Sequence, residues 1–157
     1  MAGEFRSPEL IEKDEFLDSY QVCNRNISFL CGMIRRLEEQ ACCLDFTWNN
    51  IINKYGINDE NIKKEKDYQK RITYLIGIYN DEKIENLNRM EIIEKYIGLL
   101  PEGVEKNILR RRYVLGQTPR EIWEELFFSR ARYFELQRNA MKKLPIPKDF
   151  LASIENK

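Results

Sequence analysis

The clearest pattern in the chain is a stripe of apolar residues with alternating steps of four and three: Phe16, Tyr20, Cys23, Ile27, Leu30, Ile34, Leu37, Ala41 and Leu44. That repeat keeps one face of an α-helix apolar and suits packing against a partner helix in coiled-coil fashion. Ser7 before Pro8 marks a helix start, with proline at the first helical position. Gly32 falls inside the helix at a cost of about 1 kcal/mol relative to Ala. Residues 46–60, FTWNNIINKYGINDE, interrupt the stripe, and their asparagines and Gly56 predict a turn or a short helix and loop. A second long helix is predicted from about Asn61 to Ile97. Its apolar positions are Ile62, Tyr68, Ile72, Leu75, Ile76, Tyr79, Ile84, Leu87, Met90, Ile93 and Ile97. The simplest arrangement folds the two helices into an antiparallel hairpin. The first stripe serves either as packing within one chain or as the seam of a homodimer.

GLLPEG, residues 98–103, changes the texture. Gly98 can end the long helix and Pro101 can begin the next. Three short helices are predicted beyond it: about Glu102–Val114 stopped by Gly116, a second starting at Thr118, and a third starting at Ser129 and ending before Pro145. In TPRE, Thr118 caps, Pro119 takes the first helical position and Glu121 completes a capping box. Ser129 can cap the next helix, on which Tyr133, Leu136, Ala140 and Leu144 make one apolar stripe. The expected fold is all-α: a helical hairpin over residues 8–98, a three-helix domain over 99–144, and a tail over 145–157.

Composition narrows the function. The chain has no His, which removes the usual general base near neutral pH and any Cys–His pair. Cys23, Cys31, Cys42 and Cys43 lack CxxC spacing, so reduced thiols in a cytoplasmic protein are expected and no metal or cofactor. The Glu38-Glu39 and Glu124-Glu125 pairs have no nucleophile, metal motif or phosphate loop beside them, so an enzyme is not expected. No run of 18 apolar residues exists, and no membrane span is expected. The net charge of zero hides an asymmetry. Residues 1–104 carry 14 Lys+Arg and 19 Asp+Glu, whereas residues 105–144 carry 10 and 5. A basic end on an acidic body fits double-stranded DNA as a partner.

The third short helix has what a groove-reading helix needs. Arg130, Arg132, Glu135, Arg138 and Asn139 lie off its apolar stripe, where Arg can pair with guanine and Glu with cytosine N4. Arg110, Arg111 and Arg112 on the preceding helix, Lys142 and Lys143 at the far end, and the capping residues Thr118 and Ser129 suit phosphate contacts.

The stretch LPEGVEKNILRRRYVLGQTPREIWEELFFSRARYFELQRNAMKKL resembles region 4 of bacterial sigma factors. The resemblance rests on Leu100-Pro101, Arg112-Tyr113, Gly116, Thr118, Glu121-Ile122, Leu126, Ser129-Arg130, Arg132, Ala140 and Lys143-Leu144. A helical hairpin followed by such a module is similar to the ArpU-like small transcriptional regulators of phages. The resemblance implies a helix-turn-helix in which Arg130, Ala131, Phe134 and Glu135 read bases. It further implies a sequence-specific regulator of a phage or mobile element, with host RNA polymerase as a second partner. A homodimer would take two half-sites about one helical turn apart or a multiple of that.

Two residues depart from the family pattern. Trp123 stands where the family prefers Ala, and Phe127 where Gly or Asn often takes a left-handed conformation. With Phe128 and Phe134 they supply either a bulkier core shared with the hairpin or an exposed patch for a protein partner. A degenerate module that binds polymerase or another phage protein is the alternative function. A small DNA-packaging subunit of the terminase kind is another.

Overall fold

The computed structural model describes residues 7–56 and 59–145; the predicted tail lies almost wholly outside them. The described residues are all-helical. Helix α1 spans Pro8–Tyr55, α2 Asp59–Gly98, α3 Val104–Leu109, α4 Pro119–Glu125 and α5 Arg130–Lys143, with a π-helical turn at Arg110–Val114 directly after α3. No helix among them is long and apolar enough to cross a membrane.

The turn expected over 46–60 shrinks to its last few residues, because α1 continues to Tyr55. Each asparagine costs a helix only about 0.7 kcal/mol relative to Ala, and nothing between Gly32 and Gly56 forbids the conformation. Gly56 does, at φ 78°, with its N–H bonded to the Ile52 carbonyl at 2.9 Å. A left-handed glycine is a common helix stop.

The chain separates into two compact units, not at residue 98 but within both long helices: one unit holds the described residues up to Asn24 and from Asn88, the other Arg25–Leu87. In the Arg25–Leu87 unit the α1 stripe buries Leu30 and Ile34, and α2 buries Ile72. Asn26 Nδ2 donates to Asn86 Oδ1 at 3.3 Å across the two helices. Four α2 positions expected to face inward are exposed: Tyr68, Leu75, Ile84 and Leu87. The last three fall beside the line through Ile72, Ile76 and Tyr79, and Tyr68 is more than half exposed.

In the other unit α1 and α2 run antiparallel. The Phe16 ring packs edge-on against Tyr96, with centroids 5.8 Å apart, and the Tyr20 hydroxyl donates to Glu94 Oε1 at 3.2 Å. The buried face of α1 is wider here than the coiled-coil stripe, because Leu10, Lys13 and Leu17 form a second line one turn apart. Leu10, Phe16, Leu17, Ile93 and Ile97 share one core with Leu100, Leu109, Tyr113, Ala140, Met141 and Leu144. The two long helices therefore supply five of the eleven buried residues of this core.

A second core lies among the short helices: Ile108, Ile122, Tyr133 and Leu136, covered by Trp123, Leu126, Phe128 and Phe134. It contains no described residue of α1 or α2, so the aromatic residues do not form a core shared with the hairpin. Trp123 lies edge-on to Tyr133 and Phe134 at 5.9 and 6.0 Å, and those two rings are 5.0 Å apart. The indole is half-buried at the rim of this cluster.

Candidate nucleic-acid interface

The α4–turn–α5 segment is built by local chemistry. Thr118 Oγ1 accepts from the Glu121 N–H at 3.2 Å while Glu121 Oε2 accepts from the Thr118 N–H at 2.9 Å, closing the capping box. At the other end of α4 the Phe128 N–H reaches the Trp123 carbonyl at 2.9 Å and the Phe127 N–H reaches Glu124 at 3.4 Å. That pair of bonds is the Schellman pattern, which places Phe127 where glycine usually stands. Phe127 accordingly has φ 59°, and its side chain is 94% exposed. Ser129 then caps α5, its Oγ accepting from the Arg132 N–H at 3.1 Å.

Phe127 is thus both strained and unpacked. A left-handed conformation costs an L-residue about 1–2 kcal/mol, and exposure recovers nothing through burial. Phe127→Gly is expected to stabilise the protein by about 0.5–1 kcal/mol, the strain relief exceeding the added unfolded-state entropy. Urea unfolding of the two proteins checks this, and a lower midpoint for the variant would refute it.

α5 turns Tyr133, Leu136, Gln137, Ala140 and Met141 inward. Gln137 and Met141 widen the expected stripe. Outward it presents Arg130, Ala131, Arg132, Glu135 and Arg138, then Lys142 and Lys143. Within that face Arg132 Nη1 lies 3.2 Å from Glu135 Oε2, so two expected base readers hold each other. Phe134 is not on the face. It is half-buried against Trp123 and Tyr133, with the Arg130 guanidinium 5.8 Å from its ring centre. The reason is spacing: Phe134 follows Tyr133 and borders the same buried stripe. Lys143 pairs with Glu105 at 2.9 Å, tying the end of α5 to α3.

The three arginines of the π turn have three different surroundings. Arg110 is exposed. Arg111 is mostly covered, its guanidinium on Glu125, with Nε donating to Asn107 Oδ1 at 3.1 Å. Arg112 lies over the Tyr113 ring at 5.5 Å. Arg110 and Arg111 also line a cleft of about 690 Å³ with Glu91, Glu94, Lys95 and Leu115. The two carboxylates oppose a phosphate approaching from that side, and Glu125 holds the Arg111 guanidinium against α4. Of the expected aromatic patch only Phe127 stands clear of the surface, while Trp123 and Phe128 are half-buried.

Polar residues that the sequence pattern passed over hold the module together. The Tyr113 hydroxyl donates to Asp14 Oδ1 of α1 at 2.5 Å and accepts from Gln137 Nε2 of α5 at 3.2 Å. Burial first, then the Asp14 carboxylate, push the Tyr113 phenol well above its ordinary pKa. It stays a neutral hydroxyl, able to donate and accept at once. The buried Lys106 ammonium bonds Glu102 Oε1 at 2.6 Å and the Gly98 carbonyl at 3.3 Å, closing the end of α2. That contact holds the Glu102 carboxyl below its ordinary value. Lys13 Nζ donates to the Lys142 carbonyl at 3.4 Å near the end of α5. None of these carried a motif. The one available signal was a polar residue on an otherwise apolar helix face. Comparison with protein-family models, with curated proteins and with solved structures found no match for this chain.

Proposed function

We propose that the protein is a sequence-specific DNA-binding transcriptional regulator of a phage or mobile element. In this reading α4 and α5 act as a helix-turn-helix, and α5 is the reading helix. The observation that carries it is the outer face of α5. A helix capped by Ser129 and anchored by two cores exposes Arg130, Ala131, Arg132, Glu135 and Arg138 together. Arginines so held can meet guanine O6 and N7, while Glu135 can accept from cytosine N4 once Arg132 releases it.

Selection of bound duplexes from random DNA supplies the site, and anisotropy titrations measure it. Arg130→Ala is expected to lose about 1–3 kcal/mol of discrimination between the selected site and random duplex. No duplex binding by the intact protein at low salt would sink the reading.

One observation favours a second reading, a module that grips polymerase or another protein. Phe127 keeps a strained backbone and a bare aromatic ring at the turn. Strain maintained without a packing return points to a contact elsewhere. Loss of polymerase capture in Phe127→Gly with duplex binding unchanged would favour this reading over the first.

A further inference from the structure

The π turn ends at Val114, so the carbonyls of its last residues have no following helical turn to bond. Its own pattern is long-range: the Leu115 N–H reaches the Arg110 carbonyl at 2.9 Å and the Gln117 N–H reaches Arg111 at 3.0 Å. One side chain from α1 takes the two carbonyls at the end. Gln21 Nε2 donates to Tyr113 O at 2.9 Å and to Val114 O at 2.8 Å. Gly116 follows at φ 74°, and a Cβ there would lie 3.3 Å from the Gln21 amide group. The amide is therefore seated between two carbonyls and a residue that has no side chain. Tyr113 is held to α1 a second time through its hydroxyl on Asp14.

We propose that Gln21 is a positioning residue for the arginine cluster: it holds Arg110–Val114 in its π register and so fixes the directions in which Arg110, Arg111 and Arg112 leave the helix. A π turn closes each hydrogen bond over five residues where an α-helix uses four, so each residue advances by a smaller angle about the axis. Arg111 and Arg112 therefore leave the turn in directions, relative to Arg110, that an α-helical register would not give them. The inference rests on the reading that this unit binds duplex DNA, and it makes α1 part of the interface without touching it.

The test uses the full chain with Gln21→Leu, which keeps size and helix propensity but removes the donors, and Gln21→Lys, which keeps a donor. Amide exchange is followed at Leu115 and Gln117, with the Arg132 amide on the Ser129 cap as internal control. Gln21→Leu is expected to speed exchange at Leu115 and Gln117 about tenfold, leaving Arg132 unchanged. It should weaken binding to selected and random duplexes alike by about three- to tenfold, as a phosphate defect does. Gln21→Lys should fall between Gln21→Leu and the unsubstituted protein in both readouts. Unchanged exchange at Leu115 and Gln117 in Gln21→Leu overturns the proposal, as does a binding loss confined to the selected site. If the unsubstituted protein binds no duplex, the DNA reading falls, and the exchange rates alone decide whether Gln21 holds the turn.

Discussion

Phe16→Ala is expected to cost about 3–5 kcal/mol, the range for deleting a fully buried aromatic ring. The ring is 1% exposed and sits edge-on to Tyr96, in the same core as Leu109, Tyr113, Ala140 and Met141. The unfolding free energy of an ordinary domain is about 5–15 kcal/mol. A loss of this size therefore removes much of what holds α5 in place, although Phe16 is far from α5 in sequence. Phe29 on the same helix is 68% exposed, and Phe29→Ala should stay within about 0.5 kcal/mol. Urea unfolding followed through Trp123, in a Trp48→Phe background, measures both. Equal midpoints for Phe16→Ala and the parent would mean that the start of α1 does not belong to that core. The same reasoning predicts that residues 99–144 alone do not fold, because Leu10, Phe16, Leu17, Ile93 and Ile97 would be missing.

The contrast between those two phenylalanines separates what was legible in the sequence from what was not. Information within three or four residues read out well. Thr118, Pro119 and Glu121 fix the start of α4, and Ser129 fixes the start of α5, because a cap bonds its own first turn. The four-three stripe identified the buried line of α1 in the same way, through Cys23, Leu30 and Ile34. Information carried by distant partners did not read out. Nothing near Gln21, Asp14 or Lys13 announces a carbonyl or a hydroxyl waiting many residues away, and buried polar groups depend on such partners. The Asn-rich end of α1 misled for the opposite reason, since small propensity costs do not end a helix that a glycine later stops. Within the candidate interface, the sequence placed Arg130, Arg132, Glu135 and Arg138 on one face. It could not show that Arg132 and Glu135 pair, or that Phe134 turns toward Trp123.

Those pairings set the second large effect, the response of DNA binding to salt. Ten basic residues lie between 105 and 144, but Arg111, Arg132 and Lys143 face Glu125, Glu135 and Glu105, Arg120 faces Glu124, and Lys106 is buried on Glu102. Each such cation already has a counter-charge and releases few ions when a phosphate arrives. Arg110, Arg112, Arg138 and Lys142 remain as the main phosphate partners. Four neutralised phosphates give a slope of about −4 in log affinity against log salt, and a loss of about 150-fold between about 50 and 200 mM. All ten acting together would give about −9. The pairing also predicts a gain. Glu125→Gln releases Arg111, and the slope should steepen by about one, at a cost of about 1 kcal/mol, the upper end for a surface ion pair, because Arg111 is mostly covered. Anisotropy titrations across the salt series decide the matter. A slope shallower than about −2 would mean that the basic face does not meet the DNA backbone. A slope near −9 would mean that the ion pairs open on binding, so that Arg132 and Glu135 are both available to bases.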